Sequence, residues 1–263
     1  EGLGASVGGF LTSFIFIWAF SSSFIIILML ILCGIVVFSF LPKRTYRWYI
    51  LGIAGIISLS FSSKIEKLSL QNKWQEFNIL ASKNSIYNRI TVIKKEGLTN
   101  FYVNGVYDFT YPDKYNIEIK SHFPLSQHKN PKDVLIISGG ISGIIQEILK
   151  HNIKQIDYVE LDPLIIKLAK QCIPETKELF SNSKIKIYTR IDGRLYVKNA
   201  NKLYDVIILN LPEPYTAQLN RFYTKEFFSE IKRILRKDGV FTFNLTSNPN
   251  YISNEQKRFY LSL

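Results

Sequence analysis

The chain has 263 residues, 47% of them apolar, with 33 lysines and arginines against 21 acids for a net charge of +12, and a mean hydropathy of +0.06. This gives room for one or two domains and is too apolar for a disordered chain or an ordinary soluble one. The basic residues are scattered and not gathered into one aromatic-interleaved stripe, which argues against nucleic acid and leaves acidic lipid head groups as the better use for the charge. Two cysteines, Cys33 and Cys172, stand apart with no partner at metal or redox spacing, so there is no disulfide framework and no metal site to read.

The apolar excess is concentrated at the start. From Gly2 to Pro42 there is no charged residue, enough for two membrane spans of roughly 20 residues each, at residues 6–22 and 23–41. Ser21, Ser22 and Ser23 offer a tight hairpin between them. A third run, residues 48–63, follows the basic loop with Lys43, Arg44 and Arg47 and is read as a third span or an interfacial helix. Lys64, Lys67 and Lys73 come just after it. If all three runs span, the two basic segments face opposite sides, and the positive-inside rule does not settle the topology. The opening at Glu1, with no Met, and the close at Leu263 suggest a fragment of a longer protein.

From Asn78 to Tyr111 the pattern changes to short β runs. Alternation over Tyr87–Ile93, a turn in Glu96–Asn100 and the hairpin dipeptide Asn104-Gly105 read as a small antiparallel β-domain of two or three hairpins. Residues 112–132 read as a helix and linker, with Pro124 and Pro131 as breaks. Then DVLIISGGISGIIQEILKHNIKQIDYVELD forms a strand, a glycine turn (Ser138, Gly139, Gly140, Gly143), an amphipathic helix to about His151 and a second strand ending in Glu160. Glycines let backbone N–H groups approach a ligand, and an acid about 20 residues on can take a ribose diol.

The alternation continues with a helix from Pro163 to about Cys172, a strand at Ile185–Tyr188 before Asp192-Gly193, and a strand at Asp205–Leu209 before Asn210. A helix over Thr224–Arg236 is expected to stop at a Gly239 C-cap, followed by a strand at Val240–Leu245. Five strands with intervening helices make a doubly wound parallel α/β sheet, with ligands at the carboxyl ends of the strands. The glycine turn, Glu160, Asp192 and the Asn210–Pro214 segment all fall there.

These motifs, in this order, resemble the spermidine synthases, the polyamine aminopropyltransferases. The similarity runs over roughly residues 85–244, through Asn104-Gly105, PDKYNIE, HFPLSQHKNPKDVLIISGG, YVELD, IDG and YDVIILNLPEP. The apolar start, with EGLGA…GG and LNLPEPYTAQLNRFYTKEFF, is similar to the membrane-fused spermidine synthase-like proteins of bacteria. The resemblance implies membrane helices (1–63), a linker and small β-domain (64–111), and an S-adenosylmethionine-type Rossmann domain (112–263) truncated at its end. It also implies a multi-pass inner-membrane protein with the Rossmann domain in the cytoplasm, where an adenosyl donor exists. Its partners would be the lipid bilayer, a small-molecule amine and a further copy of itself in a homo-oligomer.

The implied reaction is attack by an amine on the methylene beside the sulfonium of decarboxylated S-adenosylmethionine, or S-adenosylmethionine itself, with no metal. By resemblance, Ser138, Gly139, Gly140 and Gly143 cradle the amino-acid side of that co-substrate, Glu160 holds its ribose, and Asp192 and Gly193 flank its adenine. The sequence departs from the family where the chemistry sits. Asn210 stands where the family's carboxylate base is expected, and Asn cannot take a proton. Ile141 replaces an acid of the glycine turn, Asp108 stands where Gln is usual, and Asn116-Ile117-Glu118 replaces Tyr-His-Glu or Tyr-Gln-Glu. Glu213 keeps the second acidic position, as substrate ligand, base or solvated loop acid. Asp108, Asp113 and Glu118 are candidates for the substrate side, the last two equally readable as helix-start and surface charges. Phe222 and Tyr223 read as packing residues, and His122 and His128 as structural. Activity on putrescine is expected to be weak or absent. The competing readings are a cofactor-binding sensor or structural domain without catalysis, and an ordinary methyltransferase.

Overall fold

The computed structural model describes residues 2–20, 22–40, 46–245 and 250–262, and the chain divides into two compact units, Glu1–Asn78 and Ile79–Leu263.

The first unit is helical. Helix α1 (Gly2–Leu11) runs through a π-helical turn (Thr12–Phe16) into α2 (Ile17–Ala19), and α3 (Ser22–Ser39) and α4 (Tyr46–Lys73) follow. Small residues let α3 and α4 approach closely: a Cβ on Gly34 would lie 2.8 Å from Leu51, and one on Gly55 3.0 Å from Ile31. The hydroxyls of Ser6, Thr12 and Ser60 donate back to the carbonyls of Gly2, Gly8 and Ile56, so these polar groups are satisfied within their own helix. The third apolar run continues as helix past residue 63 to Lys73, because Lys64, Glu66 and Lys67 end its apolar character and are good helix formers. Among the described residues one helix, Trp48–Lys73, is long and apolar enough to cross a membrane, and Gly2–Phe16 and Ser23–Ser39 are shorter apolar helices. Of the expected hairpin serines, Ser21 lies outside the described residues and Ser22 and Ser23 begin α3; Lys43 and Arg44 also lie outside them.

The second unit holds two sheets. Strands β1 (Asn78–Asn84), β2 (Arg89–Lys95), β3 (Leu98–Val103) and β4 (Val106–Tyr111) form a four-stranded meander in that order. Two of its turns are Glu96-Gly97 and Asn104-Gly105, where both residues of each pair have positive φ, the backbone that two-residue hairpins require. Helix α5 (Lys114–Ser126) leads into the parallel sheet, and Pro124 sits buried in its last turn without ending it.

The parallel strands β5 (Asp133–Ile137), β6 (Gln155–Glu160), β7 (Ile185–Thr189), β8 (Tyr204–Leu209) and β9 (Leu235–Phe243) stand in the order β7-β6-β5-β8-β9. Between them come α6 (Ile144–Leu149), α7 (Pro163–Cys172), a short unforeseen α8 (Glu175–Leu179), α9 (Gly193–Asn199), α10 (Ala217–Asn220) and α11 (Lys225–Ile234), and α12 (Asn254–Ser262) closes the chain. Alternate strand residues feed two cores. Val134, Ile136, Ile156, Tyr158, Val206 and Ile208 pack with α5, α6, α7 and the meander. Leu135, Ile137, Val159, Ile207 and Leu209 pack with Val197 and α11 on the other face. The switch in strand order lies between β5 and β8, and it opens a crevice beyond their carboxyl ends.

The Gly239 cap is corrected. Helix α11 ends at Ile234 and β9 begins at once; its pairing with β8 slips between Tyr204↔Leu235 and Val206↔Val240. Gly239 sits in that irregularity, where a Cβ would meet Leu235 at 2.8 Å and the Arg236 carbonyl at 3.0 Å. A close backbone approach, and not a helix stop, demands the glycine there.

Candidate functional site

A cavity of about 500 Å³ lies between the meander and the carboxyl ends of the parallel strands. Its floor carries Ile137, Ser138, Val159 and Glu160; Asp192 and Gly193 stand on one side, and the Leu211–Phe222 segment and the β3–β4 hairpin close over it. Two apolar residues define a slot. A Cβ on Gly193 would lie 2.6 Å from Ile137 and 3.3 Å from the Phe222 ring, so only glycine leaves that space open.

Glu160 is a strongly perturbed acid. It is 4% exposed; it accepts from Tyr158 Oη at 2.8 Å, Ser138 Oγ at 3.4 Å and the Asp162 amide at 3.5 Å. Burial outweighs these donors and pushes its pKa up to about 7, with the Asp108 charge adding to the rise. A carboxyl so poised can exchange its proton for donated hydroxyl hydrogen bonds. Tyr158 stands two residues earlier on the same strand, which places both side chains on one face.

Asp192 caps α9 by accepting from the amides of Arg194 and Leu195, and its other oxygen pairs with Arg221. Arg221 lies 4.9 Å over the Phe222 ring and joins it in the cavity wall. Asp162 is similarly committed: it caps α7 through Leu164 N–H and accepts from Ser85 Oγ.

Asp108 enters by a β-bulge. Phe101 pairs with Phe109 and Tyr102 with Tyr107, so Asp108 is the extra residue on β4, and the bulge turns its side chain into the cavity. No described residue donates a hydrogen bond to it. Asp108 is an exposed residue at the cavity wall; desolvation of its carboxyl raises its pKa, against the opposing pull of Lys120.

The glycine turn divides its labour. Ser138 and Gly139 both have positive φ, and a Cβ on Gly139 would lie 1.9 Å from Asn210 Nδ2. None of Gly139, Gly140 and Gly143 lines the cavity. Gly140 makes room for the Tyr158 ring (2.8 Å) and Gly143, at φ +116, for Ile117 of α5 (2.7 Å), so the structure uses both for close packing. Ile141 is fully buried in the core.

Asn210 lies just behind the cavity. Its Oδ1 accepts from Lys120 Nζ at 3.2 Å and its Nδ2 reaches the Gly139 carbonyl at 3.5 Å. Burial lowers the Lys120 pKa, while Asp113 and Asp108 pull it back up. Glu213 accepts from Tyr215 Oη at 2.7 Å and is outside the lining. Asp113 caps α5 and also accepts from the Asn116 side chain, and Glu118 is exposed on that helix; neither lines the cavity. The structure thus brings together Ser138, Glu160, Asp192, Gly193 and Asp108 in the lining, and it leaves Gly139, Gly140, Gly143, Asn210, Asp113, Glu118 and Glu213 outside it.

Tyr223 is buried, packs on Phe243 and ties the Leu211 and Pro212 carbonyls through its hydroxyl, while Phe222 packs on Phe227 and lines the cavity too. His122 contacts His151 at 2.7 Å and Glu147 at 3.0 Å, away from the cavity. Among the described residues no group of three or more ligating side chains could hold a metal ion.

Residues 114–258 match the spermine/spermidine synthase domain. The chain belongs to the spermine/spermidine synthase family. It is 32% identical over 173 residues to polyamine aminopropyltransferase 1 of Bacillus cereus, covering 65% of this chain and 62% of that protein. It is 26% identical over 258 residues to the polyamine aminopropyltransferase of Oceanobacillus iheyensis, covering 91% of this chain and 50% of that one. The chain therefore spans 50% to 62% of the length of these relatives. A crystal structure of spermidine synthase in complex with the transition-state analogue AdoDATO superposes with a TM-score of 0.58 at 31% identity, over 63% of this chain and 57% of that one. The spermidine synthase of Thermotoga maritima gives 0.55 at 30%, over 63% and 55%.

Proposed function

We propose that the second unit binds an adenosyl sulfonium donor, decarboxylated S-adenosylmethionine or S-adenosylmethionine, and transfers an aminopropyl-type group to an amine. The observation that carries this is the convergence of Ser138, Glu160, Asp192 and Gly193 on one cavity at the switch point of the sheet. The residues fit such a donor: Glu160 is an acceptor for a ribose diol, the Ile137–Phe222 slot beside Gly193 is flat and apolar enough for a purine, and Asp192 can accept from an exocyclic amine. The amine nitrogen forms the new C–N bond, the C–S pair returns to sulfur, and the nitrogen's proton must be taken up.

The first unit is proposed as a multi-pass anchor in a bacterial inner membrane, with the second unit on the cytoplasmic side where the donor is made. Supporting this are the apolar helices with many exposed large side chains. The Oceanobacillus iheyensis relative also matches 91% of the chain, which includes most of that unit.

A second reading, a binding domain without turnover, draws on one observation: the side chain at the end of β8 is an amide, Asn210, held by Lys120 and Gly139, while Glu213 accepts from Tyr215. Titration calorimetry with methylthioadenosine and both sulfonium donors tests the binding they share. Saturable binding is expected, and no heat with any of the three would end both readings. Amine-dependent release of methylthioadenosine then separates them.

A further inference from the structure

The run LNRFYT carries a cavity-lining cation, Arg221, to which donor binding as described assigns no part. Its guanidinium is fixed on three sides. Nε donates to the Gln218 carbonyl at 2.9 Å, Nη2 pairs with Asp192 Oδ2, and Cζ lies 4.9 Å from the centre of the Phe222 ring. A second tie runs the other way. Arg194, in the first turn of α9, donates from Nη1 to the Arg221 carbonyl at 3.1 Å and is itself braced by both carboxylate oxygens of Glu230. Two arginines thus join the start of α9 to the segment that closes over the cavity.

The consequence for Asp192 follows from counting its acceptor positions. A carboxylate has about four. Oδ1 takes the Arg194 and Leu195 amides, so the helix cap fixes that oxygen, and among the described residues Arg221 alone fixes Oδ2. Three positions are filled, and the fourth, on Oδ2, is left for a donor in the cavity that Asp192 lines. Because the same guanidinium lies on the Phe222 ring, Oδ2 stands at the rim of the slot between Ile137 and Phe222. The ion pair is partly exposed, 23% at Asp192 and 37% at Arg221, so it adds little to folding. A purine in the slot would cover it, and a shielded hydrogen bond to an ion counts for more than an exposed one. We propose that Arg221 is the positioning residue of the purine end: it sets Asp192 Oδ2 at the slot so that a purine with a 6-amino group is held and a 6-oxo purine is rejected. An amino group donates to the open position, whereas an oxo group there sets two acceptors against each other. The inference rests on the donor reading for the presence of a purine nucleoside and adds the residue that orients its acceptor.

The test is calorimetry on the full chain in detergent with methylthioadenosine and its 6-oxo analogue, 5′-methylthioinosine. The unmodified chain is expected to prefer methylthioadenosine by roughly tenfold or more, the worth of one hydrogen bond to an ion. In Arg221→Met, methylthioadenosine affinity is expected to fall roughly fivefold to tenfold while the analogue's changes less than about twofold, so that most of the preference disappears. Arg221→Lys, which keeps a cation but not the planar fork, should recover part of it; it is also the second variant should Arg221→Met fail to fold. In an Asp192→Asn background Arg221→Met should have no further effect, because it acts through that carboxylate. A loosened cover segment would weaken both nucleosides alike, and that result would overturn the inference. So would a preference unchanged in Arg221→Met, or an effect that adds in full to that of Asp192→Asn. Methylthioadenosine that binds the unmodified chain with no preference over the analogue sinks this inference alone, whereas its failure to bind sinks the donor reading and this inference with it.

Discussion

Glu160 should make nucleoside binding depend on pH in a calculable way. Methylthioadenosine carries the ribose diol and no charge near neutrality, so its binding isolates that contact. Free Glu160 has its pKa pushed up to about 7 by burial. Two hydroxyls donating to the carboxyl favour the ionised form, so binding competes with the proton. The ionised fraction is about nine-tenths at pH 8, about half at pH 7 and about one-tenth at pH 6, and affinity should fall roughly tenfold from pH 8 to pH 6 and level off above pH 8. At pH 7, calorimetry in two buffers of different ionisation enthalpy should show about half a proton released per ligand bound. Glu160→Gln should abolish both effects. Asp108→Asn should move the midpoint to lower pH, because the Asp108 charge helps hold Glu160 protonated. An affinity constant across this range, with no proton released, would refute the assignment of Glu160 to the ribose.

Gly139→Ala should destabilise the second unit by about 1–3 kcal/mol, because it combines a positive φ with a Cβ lodged on the Asn210 amide; urea unfolding followed by tyrosine fluorescence reads it, since the three tryptophans all lie in the first unit, and a loss below about 0.5 kcal/mol, what an ordinary surface change costs, would contradict the geometry. Expressed in bacteria, the chain should stay in the membrane pellet through an alkaline carbonate wash, and its release to the supernatant would count against the anchor. Reporter fusions after Ser63 should read cytoplasmic; periplasmic exposure would reverse the proposed topology.

The parallel sheet was legible because its code is local. Strand-period apolar runs, followed by the glycine turn, Glu160, Asp192-Gly193 or Asn210, placed Glu160 and Asp192 at strand ends, and strand order then brought them to one cavity. Asn104-Gly105 likewise announced its hairpin. What stayed hidden depends on pairing and distance. The bulge that aims Asp108 inward is a property of how β3 meets β4, and no feature of VYDFTY alone specifies it. Lys120 meets Asn210 across 90 positions, so its role could not be read from the helix that carries it. Gly140 and Gly143 look like ligand glycines in sequence because close packing against Tyr158 and Ile117 demands the same missing Cβ. Gly239 misled for a related reason: Lys-Asp-Gly serves a helix stop and a strand irregularity equally well. Pairing alone could have been found earlier for Tyr158, whose period-two relation to Glu160 is visible in YVELD.

The claim that everything else leans on is that the cavity is a sulfonium transfer site. Incubation of the purified full chain with decarboxylated S-adenosylmethionine and an amine, followed by chromatography for methylthioadenosine, tests it most directly. Release that requires the amine and saturates with it is expected; release that is absent with every amine, from a protein that still binds methylthioadenosine, would contradict transfer and leave a binding domain in its place.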